Sequence, residues 1–221
     1  MLQTGVERQE GLVHVITDSV GLQGNLIVPK SATGIVVFAH GSGSSRFSSR
    51  NRYVAEELRG GRFATLLLDL LTPSEEAIDA RNAQLRFNIE MLAQRLVGTV
   101  DWLAEQPEVG HLPIGFFGAS TGGGAALVAA AEVPDRIAAV VSRGGRPDLA
   151  GDALPHVKAP TLLIVGGADI PVIEMNREAL ARMSCPRELT IVPGASHLFE
   201  EAGKLEKVAE LALGWFAKHL R

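Results

Sequence analysis

Residues 111–131 read HLPIGFFGASTGGGAALVAAA, and the reading of this stretch decides the fold. Leu112 to Phe117 is a short apolar run, rich in β-formers, that predicts a buried strand. The alanine-rich run ending at Ala131 predicts a helix. Between them stands Gly118-Ala119-Ser120-Thr121-Gly122, a G-x-S-x-G motif in the strand-to-helix context that the motif needs. Such a turn is too tight for side chains beside the serine, so Gly118 and Gly122 let the strand and helix backbones approach. Ser120 is then held on a strained elbow with its hydroxyl above the sheet. Gly123, Gly124, Ala125 and Ala126 extend the small-residue surface along the helix. The plain alternative is a glycine-rich turn with an N-capping serine. A P-loop is excluded because no Lys-Ser/Thr pair opens the helix, and G-x-G-x-x-G is absent from the turn.

Working outward, strands and helices alternate. Gly11 to Asp18 and Leu22 to Val28 predict an antiparallel hairpin. Gly34 to Ala39 (GIVVFA) and Phe63 to Leu68 predict buried strands, and Ile137 to Val141, Thr161 to Val165 and Glu188 to Val192 predict further strands. Arg50 to Arg59, a long segment from about Ala83 to Gln106, Pro171 to Met183 and Lys204 to Leu220 predict helices. Leu70 to Asn82 is expected to be a polar loop. The alternation predicts an α/β fold: a mainly parallel central sheet of about eight strands with helices on both faces. Sites in such sheets lie beyond the carboxyl ends of the strands.

Composition narrows the function. The 221 residues, 46% of them apolar, fit a single α/β domain over 1–221, and the net charge of −4 points to neither nucleic acid nor an anionic membrane. The single cysteine, Cys185, excludes an intrachain disulfide and reads as structural. The N-terminal stretch MLQTGVERQEGLVHV lacks the apolar core of a signal peptide, and no uninterrupted apolar run is long enough to span a membrane. A cytoplasmic protein, monomeric or homodimeric, is the expectation.

At the predicted strand ends stand His40, Asp69, Ser120, Arg143, Asp169 and His197. A serine hydroxyl needs a base to take its proton, and the base needs an acid to hold its tautomer. Ser120, Asp169 and His197 come in the order serine, acid, histidine, which is that of an α/β-hydrolase. Asp69 and Asp148 are rival acids, and Asp169 has an alternative role as a helix cap. None of the six histidines falls in metal-ligand spacing, so no metal and no cofactor is expected.

VVFAHGSGSS, GFFGASTGG, PTLLIVGGAD and VPGASHLFEE each close their predicted strand. On these segments the chain resembles the dienelactone-hydrolase-like branch of the α/β-hydrolases over nearly its whole length. Dienelactone hydrolases proper carry a cysteine at the elbow, where this chain has Ser120. The resemblance therefore implies a serine esterase acting on a small-molecule carboxylic ester through an acyl-enzyme. Lactone or thioester cleavage and a catalytically silent scaffold are the alternatives. It implies catalytic Ser120, Asp169 and His197. It also implies an oxyanion hole made by the backbone N–H groups of Thr121 and Ser42, with Gly43 in place of Ser42 as the alternative. His40 is expected to position that loop on the substrate side.

Only Ser142 to Pro160 separates two strands where many relatives insert a lid, so no large lid and a site open to short acyl groups are expected. Arg46, Arg50, Arg52, Arg143 and Arg146 lie in or near segments that reach the site face. Arg143 is the candidate for contact with an anionic substrate, against the plainer reading that these arginines pair with Asp69, Asp148 or nearby glutamates.

Overall fold

A computed structural model describes residues 8–17 and 20–220. Met1 to Glu7, on which part of the signal-peptide reading rests, and Asp18, the expected end of the first strand, lie outside the described residues.

Eight strands form one sheet in the order β1-β2-β4-β3-β5-β6-β7-β8. β1 (Arg8–Ile16), β2 (Gly21–Pro29) and β4 (Phe63–Leu68) meet in antiparallel pairs. β3 (Gly34–Ala39), β5 (Ile114–Ala119), β6 (Ile137–Arg143), β7 (Thr161–Gly166) and β8 (Arg187–Val192) continue in parallel from β4. The expected hairpin and strands are all present, and the edge strand β8 is left largely uncovered, with only Val192 buried.

The continuous apolar runs follow from burial on both faces. Along β3, Ile35, Val37 and Ala39 join one core cluster, while Val36 and Phe38 join the other. The first cluster lies under α3 (Ile89–Ala104) and α4 (Thr121–Glu132), and the second under α1 (Ser49–Gly60) and α6 (Lys204–His219). α5 (Ile170–Arg182) covers the β7–β8 edge through Val172 and Ile173. Cys185 is buried in the first cluster, and burial pushes its thiol up, as suits a structural residue.

Two expectations are corrected. The stretch Leu70 to Asn82 is not a loop: Pro73–Asn82 is the helix α2. Thr72 and Glu75 cap it reciprocally, and Pro73 takes the first turn, where a missing N–H costs nothing. The long helix over 83–106 is broken. Ala83 turns left-handed at φ 53°, Leu85–Phe87 makes a short 3₁₀ turn, and Asn88 caps α3 by accepting from the Met91 N–H. Between β6 and β7 the chain makes only 3₁₀ turns over Pro147–His156, so no large lid covers the strand ends. Among the described residues, no helix is long and apolar enough to cross a membrane.

Candidate active site

The elbow between β5 and α4 is built by close backbone approach. A Cβ on Gly118 would stand 2.5 Å from Gly123 Cα, and one on Gly122 would run into the Ala39 carbonyl. Ser120 between them adopts φ 50°, ψ −123°. A residue with a Cβ persists there only where its surroundings hold it. They do: Ser120 N–H donates to the Arg143 carbonyl at 3.3 Å, and the Ser120 carbonyl accepts from the Gly123 and Arg146 N–H groups at 3.0 Å each. Ser120 makes no side-chain capping bond, so the plain capping role is not the one it plays.

The ends of β7 and β8 bring the acid and the histidine together. His197 Nδ1 lies 2.6 Å from Asp169 Oδ2. A carboxylate only accepts, so Nδ1 carries the proton and Nε2 is left as the basic nitrogen. The two side chains are 39% and 14% exposed, which keeps the ring reachable and its partner sheltered. Asp169 N–H donates to the Gly166 carbonyl, and Asp169 does not cap α5 through its side chain. The rival acids are engaged elsewhere: Asp69 with Arg46, and Asp148 with Arg146.

Ser120 and His197 meet the same turn. Its residue Gly144 would place a Cβ 3.5 Å from His197 Nδ1, and the residues on either side of the Gly144-Gly145 pair bond the Ser120 backbone. A serine-to-histidine hydrogen bond is not among those formed by the described residues. In such sites that contact commonly tightens only with substrate.

The two expected oxyanion donors stand in different states. Thr121 opens α4, where first-turn N–H groups lack helical partners. Ser42 N–H instead donates to Thr121 Oγ1 at 2.9 Å. His40 braces this loop. It accepts from the Leu70 N–H at Nε2, 3.0 Å away, and so donates from Nδ1 to the Gly41 carbonyl at 2.9 Å. Burial lowers its pKa and keeps the ring neutral. Both nitrogens are thus committed inside the chain, leaving His40 to position the loop.

Beside this loop opens a cavity of about 520 Å³, edged by Ser42, Gly43, Phe47, Leu71, Arg86 and Thr121 among others. A Cβ on Gly41, another of its residues, would lie 2.9 Å from Ser120 Cβ, so the cavity adjoins the elbow. Three of the site-face arginines are paired: Arg46 with Asp69, Arg50 with Glu200 and Arg146 with Asp148.

The sequence reading missed three residues that support the site. Arg95 is 5% exposed and donates to the Leu70 carbonyl and to Glu75, fixing the segment that bonds His40. Asn176, fully buried on α5, donates to the Gly145 carbonyl at 3.0 Å. Asn51, in the first turn of α1, accepts from Arg143. A polar residue at a buried helical position was the available signal, and it required knowing which helix face is covered.

A family profile described as the dienelactone hydrolase family matches residues 22–218. The chain belongs to the dienelactone hydrolase family. A dienelactone hydrolase from Anabaena variabilis superposes with a TM-score of 0.95 at 63% identity, over 97% of this chain and 99% of that one. Est1E from Butyrivibrio proteoclasticus shares the fold at 18% identity and a TM-score of 0.76, over 94% and 99% of the two chains. A Mycobacterium tuberculosis protein provisionally named a phosphoribosyl transferase is 61% identical over 208 residues. That match covers 94% of this chain and 46% of the other, so the chain spans about half the length of the curated relatives it matches. As a dienelactone hydrolase family member, it carries a fold and pattern found in hydrolases.

Proposed function

We propose that the chain is a serine hydrolase that cleaves carboxylic esters with small or short acyl groups. Ser120 Oγ attacks the carbonyl carbon while His197 Nε2 takes its proton, and Asp169 stabilises the imidazolium so formed. The carbonyl oxygen becomes an oxyanion received by the Thr121 and Ser42 N–H groups. Collapse expels the alcohol, which takes the proton back from His197. Water then attacks the acyl-enzyme, giving a proton to His197 Nε2, which passes it to the departing Ser120 Oγ as the acid is released.

The observation that carries this reading is the pairing of a strained elbow serine at φ 50° with a histidine fixed 2.6 Å from its carboxylate. Strain of this kind clusters where a mechanism uses it. The cavity beside it, about 520 Å³, is of the size that takes small ligands. Lactone cleavage is the second reading, favoured by the name of the 63% identical Anabaena protein. It follows the same steps with the leaving alcohol tethered.

A series of aryl esters graded by acyl length tests the proposal. Acetyl and butyryl esters should outpace long-chain ones, and Ser120→Ala should lower kcat by about 10⁴-fold or more. Activity that rises toward long chains, or that survives in Ser120→Ala, contradicts it.

A further inference from the structure

Arg143 is the last residue of β6, and it is 7% exposed. Arginines are almost never so buried unless paired. Among the described residues its guanidinium makes one hydrogen bond, from Nη2 to Asn51 Oδ1 at 3.4 Å, longer than a good one, and Nε and Nη1 are buried without a partner. No carboxylate pairs with it there. The charge beside it is a like one, Arg50, and burial together with that charge brings the Arg143 guanidinium to about 10, still cationic at neutral pH. Arg50 Nε is also buried and unpartnered. The contrast with Arg95 is direct: that buried guanidinium binds both Glu75 oxygens and a carbonyl.

An uncompensated buried charge is costly, and open guanidinium N–H groups match the paired oxygens of a carboxylate or phosphate. The cluster adjoins the chemistry. The Arg143 carbonyl accepts from the Ser120 N–H, and the next residue, Gly144, packs on His197. Arg50 and Asn51 lie in the first turn of α1, where the helix dipole favours an anion. Arg50 also meets Glu200 at 2.9 Å, and the two side chains are 31% and 62% exposed. So exposed a pair is weak, and the Glu200 carboxylate occupies on Arg50 the place that an incoming anion would take.

We propose that Arg143, Arg50 and Asn51 form an anion-binding subsite beside the candidate triad, built for one carboxylate or phosphate group. The anion is either a substituent of the substrate or a free ion. Selection among esters rests on the proposed ester hydrolysis, whereas binding of the anion does not.

Calorimetric titration of the intact chain with inorganic phosphate and with succinate, at low chloride, tests the subsite. Saturable binding is expected. Arg143→Met should weaken it about 10–100-fold, the range for hydrogen bonds to a charged group. Arg143→Lys, which keeps the charge and loses the fork, should weaken it too and serves if the methionine variant does not fold. Glu200→Gln should tighten binding by removing the competing carboxylate. In anion-free buffer, Arg143→Met should raise Tm, because an uncompensated buried charge is gone, and it should lose the rise in Tm that phosphate gives the wild type.

Turnover then identifies the source. If the substrate supplies the anion, Arg143→Met lowers the rate ratio of an aryl hemisuccinate to an aryl butyrate, and phosphate inhibits the hemisuccinate selectively. If a free ion is bound, phosphate alters both esters alike. Absence of saturable binding of either anion to the wild type, or equal affinity in wild type and Arg143→Met, overturns the subsite. Neither result depends on ester turnover.

Discussion

The backbone N–H of Ser42 donates to the Thr121 hydroxyl at 2.9 Å, across the mouth of the elbow. In the proposed reaction the developing oxyanion needs that same donor. An ionised acceptor bonds about twice as strongly as a neutral hydroxyl, so the oxyanion displaces Thr121 Oγ at a cost of about 1 kcal/mol. Thr121→Val keeps the shape and removes the competitor. Its kcat should be unchanged to about fivefold higher, the equivalent of that cost. A tenfold or greater fall, measured on a short-chain aryl ester, would show that the hydroxyl itself serves the reaction or the loop.

His40 holds the same loop from its other side, accepting from Leu70 and donating to Gly41. His40→Phe fills the space and loses both bonds. One oxyanion donor is worth about 10²–10³ in rate, and misplacing it costs part of that, so kcat should fall about tenfold with KM little changed. Burial disfavours the charged ring, so His40 contributes stability above its ordinary pKa of 6.5, lost as pH falls below that value. His40→Phe should flatten the loss of Tm below that pH. A KM change without a kcat change would place His40 in substrate binding instead.

Glu75 links α2 to this network. Its hydrogen bond from Arg95 holds the carboxyl at about 2, well below the usual 4.5. A depressed carboxyl stabilises the fold above its ordinary pKa, and the contribution is lost as pH falls from about 5 to 2. Glu75→Gln should cost about 2 kcal/mol at pH 7, less than the ~3 that the shift alone implies, because the pair is partly solvated. Urea unfolding at several pH values checks this. The gap between variant and wild type should close toward pH 2. A gap that persists there would assign Glu75 a packing role.

Ser120 at φ 50°, ψ −123° is strained, and glycine is not. Ser120→Gly should therefore gain about 1 kcal/mol after the added freedom of the unfolded chain is subtracted, while losing nucleophilic activity. Thermal unfolding of Ser120→Gly beside Ser120→Ala separates relief of strain from loss of the hydroxyl. Equal Tm values would mean that the elbow stores no strain.

Much of this was legible in the sequence because the decisive features are local. Period and apolar run length mark the strands, and G-x-S-x-G needs only its immediate neighbours to be read. Asp169 and His197 could be placed because each ends a recognisable strand. α2 was missed although Thr72, Pro73 and Glu75 spell a capping box, because a short polar helix lacks an apolar stripe. The break at Ala83 carries no glycine or proline, and only the cap at Asn88 marked the true start of α3. Long-range relationships were not legible. The Ser42–Thr121 bond joins residues 79 apart, and the unpaired burial of Arg143 depends on where α1 and the His197 loop pack.

The central claim is that Ser120 is an activated nucleophile, and intact mass after treatment with a fluorophosphonate tests it most directly. One adduct on the wild type and none on Ser120→Ala is the predicted result, with His197→Ala reacting far more slowly. An unlabelled wild-type protein that is shown to be folded, or equal labelling of Ser120→Ala, would contradict the account.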